Sequence, residues 1–222
     1  MRFVRFTDKN SGKPVEMKGI LDGETVHRIH GSFFKNYTVD RGVFSSDAIT
    51  LLPPVISATV LCVNPSYAKS HSSLAGSGVQ VKIPEKLSAV YCLPRAAFVF
   101  NDLTNNANGA AALFGVTLML DFFTDTGCPA AAASFAGYTA LGPSINTKPG
   151  GETVFYKNGQ KVFRSVIPQN EYIRVFEELS PLMKLHAGDI MALPLTETPY
   201  QCIRGDALRL AWREDLLETG II

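Results

Sequence analysis

Apolar and polar residues alternate from the first positions of the chain. Met1-Arg2-Phe3-Val4-Arg5-Phe6 reads as a half-buried strand. Gly19-Ile20-Leu21 and Thr25-Val26-His27-Arg28-Ile29 flank Asp22-Gly23, a two-residue hairpin signal in which both turn positions call for φ > 0. Residues 31–53 are mixed in pattern and end at Leu51-Leu52-Pro53-Pro54, where two prolines interrupt regular structure. The chain therefore divides into a small N-terminal β subdomain with its linker, residues 1–54, and a main body, residues 55–222.

In the body the alternation gives way to continuous apolar runs at Thr59–Val63, Val79–Ile83, Arg95–Phe100 and Val116–Leu120. Runs of this kind predict strands buried on both faces. Residues 101–114 hold an Asn/Gly cluster and an Ala-rich stretch, a loop or a brief helix. Asn158-Gly159 between Val154-Phe155-Tyr156 and Val162-Phe163 predicts a second hairpin. One helix is predicted from Pro168 to Leu179, with Ile173, Phe176 and Leu179 at helical spacing and Pro181 helping to end it. Gly188-Asp189 and Gly205-Asp206 introduce strands at Ile190–Leu193 and Ala207–Trp212. The fold class is α+β, strand-rich and biased to antiparallel pairing.

Composition narrows the function. Hydrophobic residues make up 46% and charged residues 18% of the 222, a balance that excludes wholesale disorder. The formal net charge is +1, without long runs of one sign, which argues against a nucleic-acid partner. No apolar stretch reaches the roughly 18 residues of a membrane helix, so no membrane partner is expected. The N-terminus lacks the apolar block of a signal peptide, and the expected location is the cytoplasm. Cys62, Cys92, Cys128 and Cys202 are too widely spaced for a zinc motif. Cys62 and Cys92 lie in apolar runs and read as buried thiols, while Cys128, between Gly127 and Pro129, is the one to test for reactivity. Nucleophile-elbow, P-loop and dinucleotide-binding glycine motifs are missing.

Several landmarks follow one another along the chain. An Arg-Phe strand and Leu-Asp-Gly hairpin come first, then Leu51-Leu52-Pro53-Pro54, then Thr59–Val63 with Asn64-Pro65-Ser66-Tyr67 and His71. Gly115-Val116-Thr117 to Asp121, Leu141-Gly142-Pro143, Asn158-Gly159 and Leu185-His186-Ala187-Gly188-Asp189-Ile190 complete the series. This order resembles the fumarylacetoacetate hydrolase family over nearly the whole chain. The resemblance implies a mixed β-roll behind the small N-terminal β subdomain, usually as a homodimer. It also implies a magnesium or other divalent ion held by acidic residues, and 2-oxo or 1,3-diketo acid substrates that are hydrolysed at a C–C bond, decarboxylated or isomerised. A hard cation suits that chemistry because it chelates the oxo acid and stabilises the developing enolate. A His–Glu pair then handles protons.

The residues that would do this work depart from the family pattern. Cys92-Leu93-Pro94 is the local match to a Glu-x-Glu pair of metal ligands, and only Asp121 matches a ligand, the third. Ala133 falls where the family has a lysine, and Ala192-Leu193-Pro194-Leu195 replaces Thr-Gly-Thr-Pro. Tyr67 and His71 are four apart instead of three, Leu74 lies near an expected Glu, and the stretch from His71 to Tyr91 is short. No metal ligand set and no cofactor are therefore expected, with magnesium or manganese entering only if Asp121 recruits further ligands.

Two functions from different classes fit these residues. One is a metal-independent lyase, decarboxylase or tautomerase for an oxo-acid or diketone-like substrate. In it His71 moves protons, Asp121 orients, and Tyr67, Lys69 and Arg95 bind substrate. The other is a non-catalytic homologue that pairs with itself or with an active paralogue. His71 is either a base or a polar loop residue. Arg95 either meets a substrate carboxylate or makes an edge-strand or interface salt bridge.

Overall fold

The computed structural model describes residues 1–56, 59–102, 108–125 and 133–222. The N-terminal segment supplies β1 (Arg2–Asp8), β2 (Met17–Asp22), β3 (Thr25–Gly31), β4 (Tyr37–Ser45) and β5 (Ile49–Leu52). The body begins with the short β6 (Val60–Cys62), β7 (Tyr67–Lys69), β8 (Leu74–Ala75) and β9 (Val79–Val81). Two long strands, β10 (Val90–Phe100) and β11 (Leu113–Phe123), are joined across α1 (Gly109–Ala112). After them come β12 (Thr139–Asn146), β13 (Glu152–Lys157), β14 (Gln160–Val166) and α2 (Gln169–Leu179). The chain closes with β15 (Ile190–Pro194), β16 (Tyr200–Cys202), β17 (Ala207–Trp212) and β18 (Asp215–Ile221).

Two mixed sheets result. The larger runs β4-β3-β2-β1-β12-β11-β10-β15-β6-β7, with β5 on β1, β8 on β12 and β16 on β10. The smaller runs β14-β13-β17-β18-β9. Pairing is antiparallel except at β6–β15, β8–β12 and β9–β18. The N-terminal strands keep a small core of their own, Val4, Phe6, Val26 and Ile49, and continue the larger sheet through the β1–β12 ladder.

Burial follows the pleat, since successive side chains leave a strand on opposite faces. Phe98, Leu118 and Phe122 face Phe155, Leu210 and Trp212 of the smaller sheet. Helix α2 closes that core because Tyr172, Val175 and Phe176 share one face, and Tyr172 stacks on Phe98 at 4.5 Å. The other face of the same strands carries Ala97, Val99, Met119 and Ala192, packed with Val60 and Cys62. The candidate residues Arg95 and Asp121 lie on this second face.

Both predicted hairpins form, and one differs in detail. Lys157 pairs with Gln160, leaving Asn158 and Gly159 as the loop, both at positive φ. At the first hairpin Asp22 pairs with Thr25, so the loop is Gly23-Glu24 and only Gly23 is left-handed. Glycine at the first loop position moves the turn one residue past the expected Asp22-Gly23. Among the described residues no helix is long and apolar enough to cross a membrane. Cys128 lies outside the described residues.

Candidate functional site

Strand register assembles the site. On β10 and β11, Leu93 lies directly opposite Asp121, and the period of two puts Arg95 on the same face as Leu93. On β6 and β7, Cys62 pairs with Tyr67 and Val60 with Lys69, so Tyr67 and Lys69 also share a face. Strand β6 reaches the others through β15, which pairs Pro194 with Arg95 and Ala192 with Ala97. The Asp189 carboxylate secures that junction by accepting from the backbone N–H of Thr59 at 3.1 Å and of His186 at 2.9 Å. Gly188 before it has φ +90°, and a Cβ there would press on Phe34 and Val55 at 3.3 Å.

Four polar side chains converge as a result. Lys69 Nζ stands 2.6 Å from Asp121 Oδ1, and Arg95 Nε stands 2.6 Å from Asp121 Oδ2. The Tyr67 hydroxyl donates to Oδ2 as well. Arg95 Nη1 also donates to the carbonyls of Val63 at 2.6 Å and Ala192 at 3.2 Å, and Nη2 reaches the Tyr67 hydroxyl at 3.4 Å. Lys69 Nζ donates to the carbonyls of Phe122 at 2.6 Å, Ala133 at 2.8 Å and Tyr138 at 3.2 Å. The Tyr67 ring roofs both cations, with its centroid 5.6 Å from the Arg95 guanidinium carbon and 5.8 Å from Lys69 Nζ. The side chains of Lys69, Arg95 and Asp121 are each 0% exposed, whereas Tyr67 is only partly buried.

Two cations therefore share one carboxylate in a dry interior. Burial opposes the Arg95 charge, but the Asp121 carboxylate outweighs it and the guanidinium pKa rises further. Burial first, and the Asp121 charge second, push the Tyr67 phenol and the Cys62 thiol far above their ordinary values. Both keep their protons at neutral pH. A buried ion cluster of this kind is tolerated when its remaining hydrogen-bond donors find partners, and the carbonyls of Val63, Ala192, Phe122, Ala133 and Tyr138 supply them.

The geometry corrects two sequence expectations. The residues that face Asp121, where a Glu-x-Glu pair would have to stand, are Leu93 and Arg95. Cys92 points to the opposite core, so the match through Cys92-Leu93-Pro94 is one residue out of phase with the pleat. Arg95 makes neither an edge-strand nor an interface salt bridge, because β10 is paired on both sides and the guanidinium is enclosed. The residues present do not fit a divalent ion: one position facing Asp121 is apolar, the other cationic, and each carboxylate oxygen already lies 2.6 Å from a cationic nitrogen. Among the described residues no cluster of three or more His, Cys, Asp or Glu side chains is placed to hold a metal.

Of the residues singled out in the sequence, Tyr67, Lys69, Arg95 and Asp121 meet and His71 stands apart. His71 begins a 3₁₀ turn (His71–Ser73), is exposed, and lines a cleft of about 190 Å³ with Arg5, Glu16, Pro53 and Leu74. The carbonyls of Ala133 and Tyr138 are unforeseen members of the site, since backbone acceptors leave no mark in a sequence. Ala133, the position matched to a family lysine, instead presents its carbonyl to Lys69.

Comparison with known proteins extends this description. Residues 1–54 match the model of the Rv2993c-like N-terminal domain. No curated protein matches the chain. Solved structures align over its full length. A 5-carboxymethyl-2-hydroxymuconate delta-isomerase from Mycobacterium smegmatis aligns over 100% of this chain and 99% of its own, at 19% identity and a TM-score of 0.83. The fumarylacetoacetate hydrolase of the psychrophilic Exiguobacterium antarcticum aligns over the same shares, at 17% identity and a TM-score of 0.81. A maleylpyruvate hydrolase from Sphingobium sp. SYK-6, in complex with manganese(II) and pyruvate, does so at 14% identity and a TM-score of 0.80. From end to end, this chain has the fold of the fumarylacetoacetate hydrolase family.

Proposed function

We propose that the chain is an enzyme acting on a 2-oxo acid or diketone-like substrate, as a C–C lyase, decarboxylase or tautomerase, without a divalent metal. The observation that carries this reading is the charge imbalance at Asp121, where Lys69 and Arg95 oppose a single buried carboxylate. A surplus positive charge in a low-dielectric site favours an anion, and the carboxylate or enolate oxygen of an oxo acid is one. Tyr67, the one partly exposed member, offers the point of approach. Its hydroxyl stays protonated; turned from Asp121 towards the substrate, it would donate to the developing enolate beside Arg95 Nη2, while Asp121 keeps the guanidinium in place through Nε. His71 lines another cleft and takes no step in this chemistry. The isomerase, hydrolase and pyruvate-bound structures among the neighbours support the same substrate class.

The test is turnover of oxaloacetate and of a 2,4-dioxo acid by EDTA-treated protein, followed by pyruvate release. Turnover should survive EDTA, and Tyr67→Phe should lower kcat about 10²-fold. Activity that disappears with EDTA would overturn metal independence, and silence on both compounds would count against this substrate class.

A second reading, a non-catalytic homologue, is favoured by the complete burial of Lys69, Arg95 and Asp121. It predicts no turnover and no thermal shift with oxo acids. It also predicts an assembly, with itself or a paralogue, that outlasts joint replacement of the three charges by Met, Leu and Leu.

A further inference from the structure

We infer that Lys69 is a cation built into the chain, filling a cage of oxygens that would otherwise take up a small monovalent cation from solution. Among the described residues four oxygens surround its Nζ: Asp121 Oδ1 at 2.6 Å and the carbonyls of Phe122, Ala133 and Tyr138 at 2.6, 2.8 and 3.2 Å. A charged ammonium has three protons to give, whereas a neutral amine has two and a lone pair that would face an oxygen. Acceptors on four sides match the donors of an ammonium and leave the nitrogen no open side towards a substrate. The distances speak to size as well. Magnesium draws its oxygens to about 2.0–2.1 Å and calcium to about 2.3–2.6 Å. All four contacts are longer than magnesium–oxygen bonds, and those to Ala133 and Tyr138, at 2.8 and 3.2 Å, also exceed the calcium range and fall in that of about 2.7–3.2 Å for N–H···O contacts.

Charge points the same way. Among the described residues Asp121 is the one charged ligand of the cage, and its other oxygen already pairs with Arg95 at 2.6 Å. A divalent ion in place of the ammonium would add a further uncompensated charge to a site with no solvent exposure. The lysine is delivered by the β6–β7 hairpin, where its partner Val60 is buried, so the ammonium is held at the cage by the ladder. The cage has these properties whether or not the chain turns over an oxo acid.

Lys69→Ala tests the inference by opening the cage. Thermal unfolding of the variant is measured in chloride salts of tetramethylammonium, sodium, potassium, ammonium and propylammonium at matched ionic strength. In tetramethylammonium the midpoint should lie roughly 10 °C below that of the native chain. Ammonium or propylammonium, which replace the lost group, should restore roughly half of that loss or more, with saturation. Equal recovery in every salt, or recovery in none, would overturn the inference. Should the variant not fold, calorimetry on the EDTA-treated native chain decides: manganese, with or without oxalate, should give no binding heat, and micromolar binding would show that the cage admits a metal after all.

Discussion

Two carboxylates in this chain each sit between two basic groups, and they differ chiefly in the solvent around them. Asp121 lies between Lys69 and Arg95 with all three side chains enclosed. Asp40 lies between Arg28, whose Nε is 2.7 Å away, and His30, whose Nε2 is 3.1 Å away, on the surface of the N-terminal strands. The His30 side chain there is 64% exposed. Arg28 falls where the β3–β4 register shifts, an irregularity that brings its side chain to Asp40. Similar groups at similar distances thus make two different objects. The outer cluster exchanges its partners with water at little cost, whereas each member of the inner one depends on the others and on buried carbonyls for its compensation.

Removing the inner carboxylate should break the comparison most sharply. Asp121→Ala would leave two cations facing each other in the interior, and urea unfolding should show a loss of about 3–5 kcal/mol. A smaller change is expected at Arg95→Lys. The charge stays, but the planar fork that serves Asp121, Val63 and Ala192 at once is lost, and a lysine cannot reproduce it. The same measurement should give a loss of about 1.5–3 kcal/mol, the worth of hydrogen bonds to charged groups.

Asp40→Asn should have the least effect, and it should vanish in high salt. The side-chain contacts to Arg28 and His30 hold the Asp40 carboxyl at about 2, down from 3.8. Its contribution is therefore present above about pH 4 and is lost as the pH falls towards 2. Thermal midpoints of the native chain and of the Asp40→Asn variant, measured in low salt, should converge across that interval. A difference that persists at pH 2 or in molar salt would mean that Asp40 is shielded as Asp121 is.

How much of this was legible follows from where each signal resides. Arg95 and Asp121 stand out because they interrupt or end apolar runs, and a charge in such a run needs a partner, whereas Tyr67 and the neighbouring Lys69 enter through the segment that resembles the family's. Which partner was not legible. Arg95 reads as an edge or interface residue because nothing local says that β10 runs between β11 and β15. Motif spacing alone sets Cys92 and Pro94 beside Asp121, and only the pairing of Leu93 with Asp121 shows which way the pleat points. His71 carries the right chemistry four residues after Tyr67, yet the turn that follows β7 swings it into a different cleft. The hairpin at Asn158-Gly159 was legible to the residue, because a two-residue loop with both positions at positive φ is a local demand.

The Lys69 ammonium has a consequence for how this molecule can change over time. It holds Phe122 at the exit of one strand and Ala133 and Tyr138 on the approach to the next. A connection whose two ends are tied to one side chain closes at a cost that grows only slowly with its length, about 0.6 kcal/mol for each doubling. Insertions and deletions between those anchors should therefore be absorbed with little penalty. A longer sequence grafted between Phe122 and Ala133 should leave both of their carbonyls on Lys69.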